Sequence, residues 1–248
     1  MTDFRKDREI VNNAYYDDLK DRWLTAEDDP VALLRQEGAF RAKWVREVLA
    51  GRRHEVLDIG CGAGFLLKSL LDAGHTVTGL DASGASLEVA GRLTAGRARL
   101  VEGDAYRLPF SDASFDAVTC MDFLEHVSEP AKVVAEAARV LKPGGVFFYH
   151  TFNRNPVAHL IVIKGVEWFV KNTPKDLHVI ELFIKPRELR AWMESEGLEP
   201  VEERGLRPVF LQWAFWRMIF TGHVGPDFRF TWERGRLTGY TGFARKKA

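Results

Sequence analysis

Short apolar runs alternate with segments of helical spacing over much of the chain. Extended segments are predicted at 55–59, 75–80, 98–103, 115–121 and 146–151. Helices are predicted between them at 63–73, 84–94 and 130–141. Such alternation is typical of an α/β fold with a mostly parallel sheet and helices on both of its faces.

The two ends of the chain extend this pattern. Apolar residues of the first fifty positions recur at helical spacing, beginning with Val11, Tyr15 and Leu19. Further helices are predicted at 156–171 and 186–196, and further extended segments at 198–206 and 237–245. We therefore predict one domain, 1–248, made of a helical cap (1–50), a core (51–155), a lid and acceptor region (156–236) and a last strand with tail (237–248).

Composition and charge narrow the class of protein. The 35 basic and 35 acidic residues cancel, so nothing recommends a nucleic acid as partner. The two cysteines lie in a turn and at a strand end, which indicates free thiols and a cytoplasmic location. The N-terminus is too charged for a signal peptide, and no run of about eighteen apolar residues could span a membrane.

A glycine-rich turn after the first strand carries the strongest chemical signal. Residues 56–64 read VLDIGCGAG, and Gly60, Gly62 and Gly64 let the backbone approach a ligand and turn into a helix. Asp81 ends the next strand, where its carboxylate can accept hydrogen bonds from two ribose hydroxyls. Two cofactors fit these features: a nicotinamide dinucleotide, or S-adenosylmethionine (AdoMet).

The spacing of the glycines favours AdoMet. A dinucleotide fold requires G-x-G-x-x-G, whereas this turn is G-x-G-x-G. AdoMet needs the compact turn but no pyrophosphate cradle. Asp104 ends a third strand and could accept a hydrogen bond from the adenine amino group.

Several strings extend the signal into a family resemblance. VLDIGCGAG, TGLD, GDAYRLPF, FDAV and LKPGG, in this order, resemble the Rossmann-like AdoMet-dependent methyltransferases. CMDFLEHV (120–127), TFNRNP (151–156) and HVIELFIKPREL (178–189) resemble the ubiquinone-biosynthesis O-methyltransferases within that superfamily. The resemblance reaches residue 197 and implies a seven-stranded sheet with an antiparallel last strand. It also implies transfer of a methyl group to a phenol or catechol.

The resemblance and the motifs together give a set of expected cofactor contacts. These are Arg41, Asp58, Gly60, Cys61, Gly62, Gly64, Asp81, Ala82, Asp104, Ala105 and Met121. Arg41 could pair with the methionine carboxylate of AdoMet. The alternative is an ordinary surface arginine on an amphipathic helix.

A cluster of potential metal ligands follows the fourth strand. If residues 122–126 form a helical turn, Asp122, Glu125 and His126 share one face at i, i+3 and i+4. The resemblance implies Mg²⁺ at these three residues, although an imidazole suits Zn²⁺ or Fe²⁺ better. The alternative, which stays open, is that they cap a turn or line a pocket without metal.

Three histidines are candidates for the chemistry. An acceptor phenol has a pKa near 10 and must lose its proton, so a histidine base or a metal would lower the barrier. We expect His126, His150 and His178 near the acceptor. His178 lies in a predicted loop, where a solvated side chain is the alternative.

The methyl acceptor is the least determined part of the prediction. Residues 157–170 and 209–220 are apolar and aromatic, and the second stretch lies where the family resemblance has ended. They could form a lid over a lipophilic aromatic acceptor, a contact between subunits, or a peripheral membrane contact; sparse basic residues favour the first two. A monomer and a homodimer both stay open. The rival functions are a methyltransferase of secondary metabolism and an NAD-dependent oxidoreductase.

Overall fold

The computed structural model describes residues 12–248, so the expectation for Val11 lies outside the described residues. The described residues contain eight strands: β1 (Glu55–Ile59), β2 (Thr76–Asp81), β3 (Arg99–Glu102), β4 (Phe115–Met121), β5 (Leu141–Phe152), β6 (Leu198–Pro208), β7 (Phe230–Glu233) and β8 (Gly239–Lys246). They form one sheet in the order β3-β2-β1-β4-β5-β8-β6-β7. Strands β1 to β5 pair in parallel, and β8 lies antiparallel between β5 and β6.

The predicted α/β class and the antiparallel last strand are confirmed, but the sheet has eight strands instead of seven. The additional strand, β7, pairs antiparallel with β6 at the edge, where Leu206 lies opposite Trp232. Its four residues, Phe-Thr-Trp-Glu, are too short to show a period.

Helices and short helical turns connect and cover the strands. The α-helices are Ala14–Asp18, Arg22–Thr25, Pro30–Val48, Phe65–Asp72, Gly84–Leu93, Pro130–Val140, Pro156–Ala158, Gly165–Phe169, Pro186–Ser195 and Trp213–Thr221. Leu124–His126 and Ile180–Leu182 form 3₁₀ turns, and a π-helical segment, His159–Lys164, joins two of the α-helices. No helix of residues 12–248 is long and apolar enough to cross a bilayer.

Side-chain signals at the helix starts account for where the main helices begin. Asp29 accepts a hydrogen bond from the Val31 amide at 3.1 Å, and Pro30 occupies the first helical position. Ser83 likewise accepts from the Ser86 amide at 3.1 Å. The first of these caps fixes the long helix that crosses one face of the sheet.

The core has one layer on each face of the sheet. Val56 points to the face covered by Pro30–Val48 and Phe65–Asp72, whereas Leu57 points to the opposite face. That second face is covered by Pro130–Val140 and Pro186–Ser195. Within the predicted lid, Leu189, Met193 and Leu198 pack with this core, whereas Ala158 and Ala214 belong to separate clusters.

Candidate active site

The glycine turn after β1 has the conformation that its sequence requires. Gly60, Gly62 and Gly64 have φ values of +71°, +50° and +80°, which side chains with a Cβ rarely adopt. A Cβ on Gly60 would lie 2.2 Å from Cδ2 of Phe123, and one on Gly64 would lie 2.9 Å from Cβ of Ala90. The turn is therefore closely packed on both sides and admits only glycine at these two positions.

Asp81 at the end of β2 fixes this turn. Its Oδ2 accepts a hydrogen bond from the Gly62 amide at 2.8 Å, and its Oδ1 accepts one from the Ser83 amide at 2.9 Å. Burial raises the pKa of Asp81, and these backbone amides oppose the rise. Each carboxylate oxygen keeps a second lone pair for a ligand hydroxyl.

A first cavity opens above the glycine turn, at the carboxyl ends of β1, β2 and β4. Nearly all of the expected cofactor residues line it: Arg41, Asp58, Gly60, Cys61, Gly62, Asp81, Ala82, Asp104, Ala105 and Met121. Gly64 does not line the cavity and instead precedes the helix Phe65–Asp72. These contacts stay predictions, but the residues expected to bind one ligand are brought together.

Two buried donors of the first cavity lack partners. The Nε1 of Trp23 and the Nε of Arg41 are buried and have no hydrogen-bond partner among the described residues. An unpaired buried donor is costly, and an acceptor group of a bound ligand would relieve that cost. Both residues line the first cavity, so these donors are candidates for binding such a ligand.

Asp58 lies at the base of the same cavity. The hydroxyl of Thr119 donates to its Oδ1 at 2.6 Å. Burial raises the pKa of Asp58 to about 7. Near neutral pH this carboxyl group is therefore only partly ionised.

A buried group of charges surrounds Arg41, which is 2% exposed. Its guanidinium donates to both oxygens of Asp122 and, at 3.3 Å, to Oε1 of Glu37. The Nε2 of His150 lies 3.4 Å from Oε1 of Glu37 and 3.5 Å from Oδ1 of Asp122.

Burial governs the ionisation of this group. It raises the pKa of Glu37 to about 7 against the opposing effect of Arg41. Burial and the nearby Arg41 charge lower the pKa of His150 well below its usual range. The imidazole of His150 is therefore neutral at physiological pH.

The three side chains predicted to bind a metal, those of Asp122, Glu125 and His126, do not converge in the structure. Residues 124–126 form a 3₁₀ turn instead of an α-helical one, and Asp122 before it has a φ of +54°. Asp122 turns towards Arg41, whereas Glu125 accepts from the Thr151 hydroxyl at 2.8 Å and His126 contacts Asn13.

Another trio of donor atoms converges in place of the predicted one. Within residues 12–248, the potential metal-ligating atoms that lie within 4.8 Å of one another belong to Glu37, Asp122 and His150. Arg41 already bonds both oxygens of Asp122 and one of Glu37. The donor set implied for Mg²⁺ therefore does not fit the geometry.

His126 is held in one orientation by Asn13. The Nδ2 of Asn13 donates to the His126 carbonyl at 3.1 Å, and its Oδ1 lies 3.1 Å from Nδ1 of the ring. An amide oxygen only accepts, so Nδ1 carries the proton and Nε2 has a free lone pair. Burial, with a smaller effect of His178, lowers the pKa of His126 to about 3.

A second cavity, of about 610 Å³, lies beside the first. Its walls are mostly apolar and come from both apolar stretches, for example Val157, Leu160, Trp168, Phe210 and Phe215. The histidines and acids that line it are Glu37, Asp122, His126, His150, His178 and Glu233. The volume is in the range of roughly 300–1,000 Å³ typical of small-molecule sites.

The two cavities meet at a shared wall. Tyr16, Leu34, Asp122 and His126 line both of them. The two cavities are therefore neighbours, bordered in common by these four side chains.

The three predicted histidines lie together at the second cavity. His126 and His178 have ring centroids 5.3 Å apart, and His178 also packs edge-on against Phe152 at 5.3 Å. Burial lowers the pKa of His178 to about 4. His150 lines the same cavity near Glu37.

Sequence reasoning missed two polar residues of the site, Asn13 and Glu37. Glu37 precedes Arg41 by one helical turn, so an acid at i−4 to a buried arginine was a usable signal. Asn13 offered no signal, because it contacts His126 from more than a hundred residues away in the chain.

Comparison with known proteins agrees with this geometry. Residues 57–149 match the methyltransferase domain family. The chain is 41% identical over 199 residues to the ubiquinone biosynthesis O-methyltransferase of Hahella chejuensis, covering 77% of this chain and 82% of the relative. It is 39% identical over 201 residues to the protein of the same name from Thiobacillus denitrificans, with coverages of 78% and 84%.

Solved structures show the same fold at lower identity. A SAM-dependent methyltransferase from Thermotoga maritima, where SAM is AdoMet, superimposes with a TM-score of 0.61 at 19% identity, covering 99% of this chain and all of that one. One from Methanosarcina mazei gives 0.58 at 22% identity, with coverages of 82% and 97%. With the identity to the curated relatives, these findings identify the chain as an AdoMet-dependent methyltransferase that belongs to the ubiquinone biosynthesis O-methyltransferase family.

Proposed function

We propose that the chain methylates one hydroxyl of a catechol that carries an apolar tail, as an intermediate of ubiquinone synthesis does. The observation that carries this proposal is that the first cavity and the large apolar one share four lining residues, Tyr16, Leu34, Asp122 and His126. The name of the curated relatives supports the same substrate class.

The residues of the first cavity account for how AdoMet would be held. Asp81 would accept from the ribose hydroxyls and Asp104 from the adenine amino group. The unpaired Nε of Arg41 and Nε1 of Trp23 would donate to the methionine carboxylate. When bound there, AdoMet supplies the activated methyl group of its sulfonium.

His126 is the residue we assign as general base. It lines both cavities, and Asn13 leaves its Nε2 free to accept a proton. With a pKa of about 3, His126 is too weak to ionise a phenol in advance. Proton transfer is therefore expected while the oxygen–methyl bond forms, because the O–H of the oxygen being methylated becomes strongly acidic. His178 would position the His126 ring.

No step of this proposal passes through a metal ion, because Asp122, Glu125 and His126 face different neighbours. Methylation measured in excess chelator is expected to proceed at the full rate. Loss of activity that Mg²⁺ or Zn²⁺ restores would contradict this expectation.

We propose that the protein takes its acceptor from a membrane surface. Leu160, Trp168 and Phe210 line the second cavity and are also exposed at its mouth. Exposed apolar side chains continue beyond the mouth: Leu211 (97%), Trp213 (75%), Trp216 and Phe220 (78%). An apolar tail could pass from a bilayer into the cavity along these side chains without entering water.

Cys61 and Cys120 are unpaired thiols, which supports a cytoplasmic location.

A substrate panel tests the proposed reaction. Purified protein is supplied with AdoMet and, in turn, catechols with and without a prenyl tail, a polyketide phenol and an aromatic amine. We expect methylation of the catechols, fastest with a tail. Turnover of the amine or polyketide with no methylation of any catechol would overturn the proposed acceptor.

A further inference from the structure

We propose that Glu37 and His150 form a hydroxyl-binding site that holds the second hydroxyl of the acceptor, and so select which hydroxyl is methylated. This inference rests on the proposed function, because it concerns the acceptor of that same reaction. Both residues line the second cavity but not the first.

The imidazole of His150 is the first element of this site. His150 is fully buried, and its Nδ1 lies 2.7 Å from the hydroxyl oxygen of Thr241. Among residues 12–248 its Nε2 has no hydrogen-bond partner, although Oε1 of Glu37 lies only 3.4 Å away. Beside two carboxylates, Nε2 is best satisfied as the protonated nitrogen, while the Thr241 hydroxyl donates to Nδ1. His150, which lines the second cavity, therefore holds an N–H donor that no described residue uses.

Glu37 supplies the complementary acceptor. One carboxylate oxygen contacts Arg41 at 3.3 Å, which keeps the side chain in place at the cavity wall. A ligand hydroxyl can accept from Nε2 of His150 and donate to Glu37 at the same time. A methoxy group or a bare ring carbon cannot do both.

This complementarity predicts discrimination between acceptors. A site built to bond a hydroxyl disfavours an analogue that lacks it, because its buried polar groups are then left unpaired. A catechol should therefore be preferred over the matching monophenol by roughly ten- to a hundredfold in kcat/KM.

The placement of Glu37 and His150 also predicts which hydroxyl of the catechol is methylated. His126 borders both cavities, whereas Glu37 and His150 border only the second. A catechol with one hydroxyl held by Glu37 and His150 presents its other hydroxyl at the shared wall. The mono-methylated product cannot bind in the reversed orientation, since its methoxy group cannot donate to Glu37. A second methylation is therefore suppressed.

The test compares kcat/KM for a prenylated catechol with that for the monophenol lacking the second hydroxyl. In Glu37→Leu the preference for the catechol should fall towards one, and dimethylated product should appear. His150→Gln, a second variant, should also lower the preference. Glu199→Gln changes an exposed acid outside both cavities, which lies 3.5 Å from Lys247, and should leave the preference unchanged.

The outcomes separate this inference from the function on which it rests. A preference that is unchanged in folded Glu37→Leu and His150→Gln, with AdoMet affinity retained, would overturn the hydroxyl-binding site. Equal rates on both acceptors in the unsubstituted protein would also overturn it. Failure of the unsubstituted protein to methylate any catechol would instead overturn the proposed function.

Discussion

At the scale of single residues, the site combines one buried cation with several buried acids. Arg41 bonds Asp122 and Glu37, and it lies in a region where burial also raises the pKa of Glu125 to about 8. Ionising all of these acids together would be costly in such a dry environment. Arg41 therefore holds Asp122 of the shared wall in place and is also a candidate cofactor ligand.

The role of Asp81 can be tested by an isosteric change. Asp81→Asn should weaken AdoMet binding by about 1.5–3 kcal/mol, because it removes charge-assisted hydrogen bonds to the ribose. Titration calorimetry with S-adenosylhomocysteine measures the effect. Asp72→Asn, an exposed acid outside both cavities, provides the control. Unchanged affinity in Asp81→Asn would place the ribose elsewhere.

The assignment of His126 predicts a defect in rate. His126→Gln should lower kcat by about 10²–10⁴-fold, the usual contribution of a general base. Because its pKa is already lowered to about 3, the imidazole stays neutral from pH 6 upward and should produce no acid limb there. Single-turnover methylation measures the chemical step. A kcat within threefold of the unsubstituted value would refute the assignment.

The raised pKa of Asp58 predicts that the stability of the fold depends on pH. Its folded pKa of about 7 exceeds its ordinary value of 3.8, so the native state binds the proton more tightly than the unfolded state. Its contribution is therefore present at low pH and is lost as the pH rises from about 4 to 7. Asp58→Asn should show a smaller loss of stability between pH 5.5 and 8, by on the order of 1–2 kcal/mol.

Urea unfolding at the two pH values measures this difference. In Asp58→Asn the Thr119 hydroxyl can still donate to the oxygen of the introduced amide, so packing is retained. Parallel pH dependence in the two proteins would mean that Asp58 is ionised throughout.

At the scale of elements, the parts that were predictable are those set by local backbone chemistry. The turn at 60–64 follows from glycines that need positive φ, and the helix Gly84–Leu93 follows from the Ser83 cap. The turn at 124–126 was not predictable. Its sequence does not decide between a 3₁₀ and an α-helical turn, and the two place different side chains on one face. Glu37 reaches the site only because its helix, Pro30–Val48, packs there from a distant part of the chain.

We predict that the helix Trp213–Thr221 contacts the membrane. Trp213 and Phe220 lie on it, are exposed and contribute little to its packing. Trp213→Ser with Phe220→Ser should therefore reduce co-flotation with phosphatidylcholine vesicles several-fold, with little dependence on salt and no loss of stability.

The matched control changes a charged surface residue of the same helix. Arg217→Ser, which removes the contact with Asp227, should leave flotation unchanged. Equal flotation of the double variant, or a dimer in solution that buries these aromatics, would contradict the membrane contact.

At the scale of the whole molecule, the site is built where the strand order reverses. β1 lies between β2 and β4, so the carboxyl ends of these strands diverge into a crevice that holds the first cavity. The N-terminal helices and the segments 156–169 and 210–230 enclose the second cavity on the same side. Sequence alternation predicted the first of these cavities, whereas the second depends on packing between segments far apart in the chain.

We propose that these neighbouring cavities bring AdoMet to one hydroxyl of a tailed catechol. The most direct measurement is the product formed from methyl-labelled AdoMet and a prenylated catechol, identified by mass spectrometry and NMR. We expect a single mono-O-methyl regioisomer, with one S-adenosylhomocysteine released per product. A product methylated on nitrogen or carbon, a mixture of both O-methyl isomers, or no methylated catechol at all would contradict it.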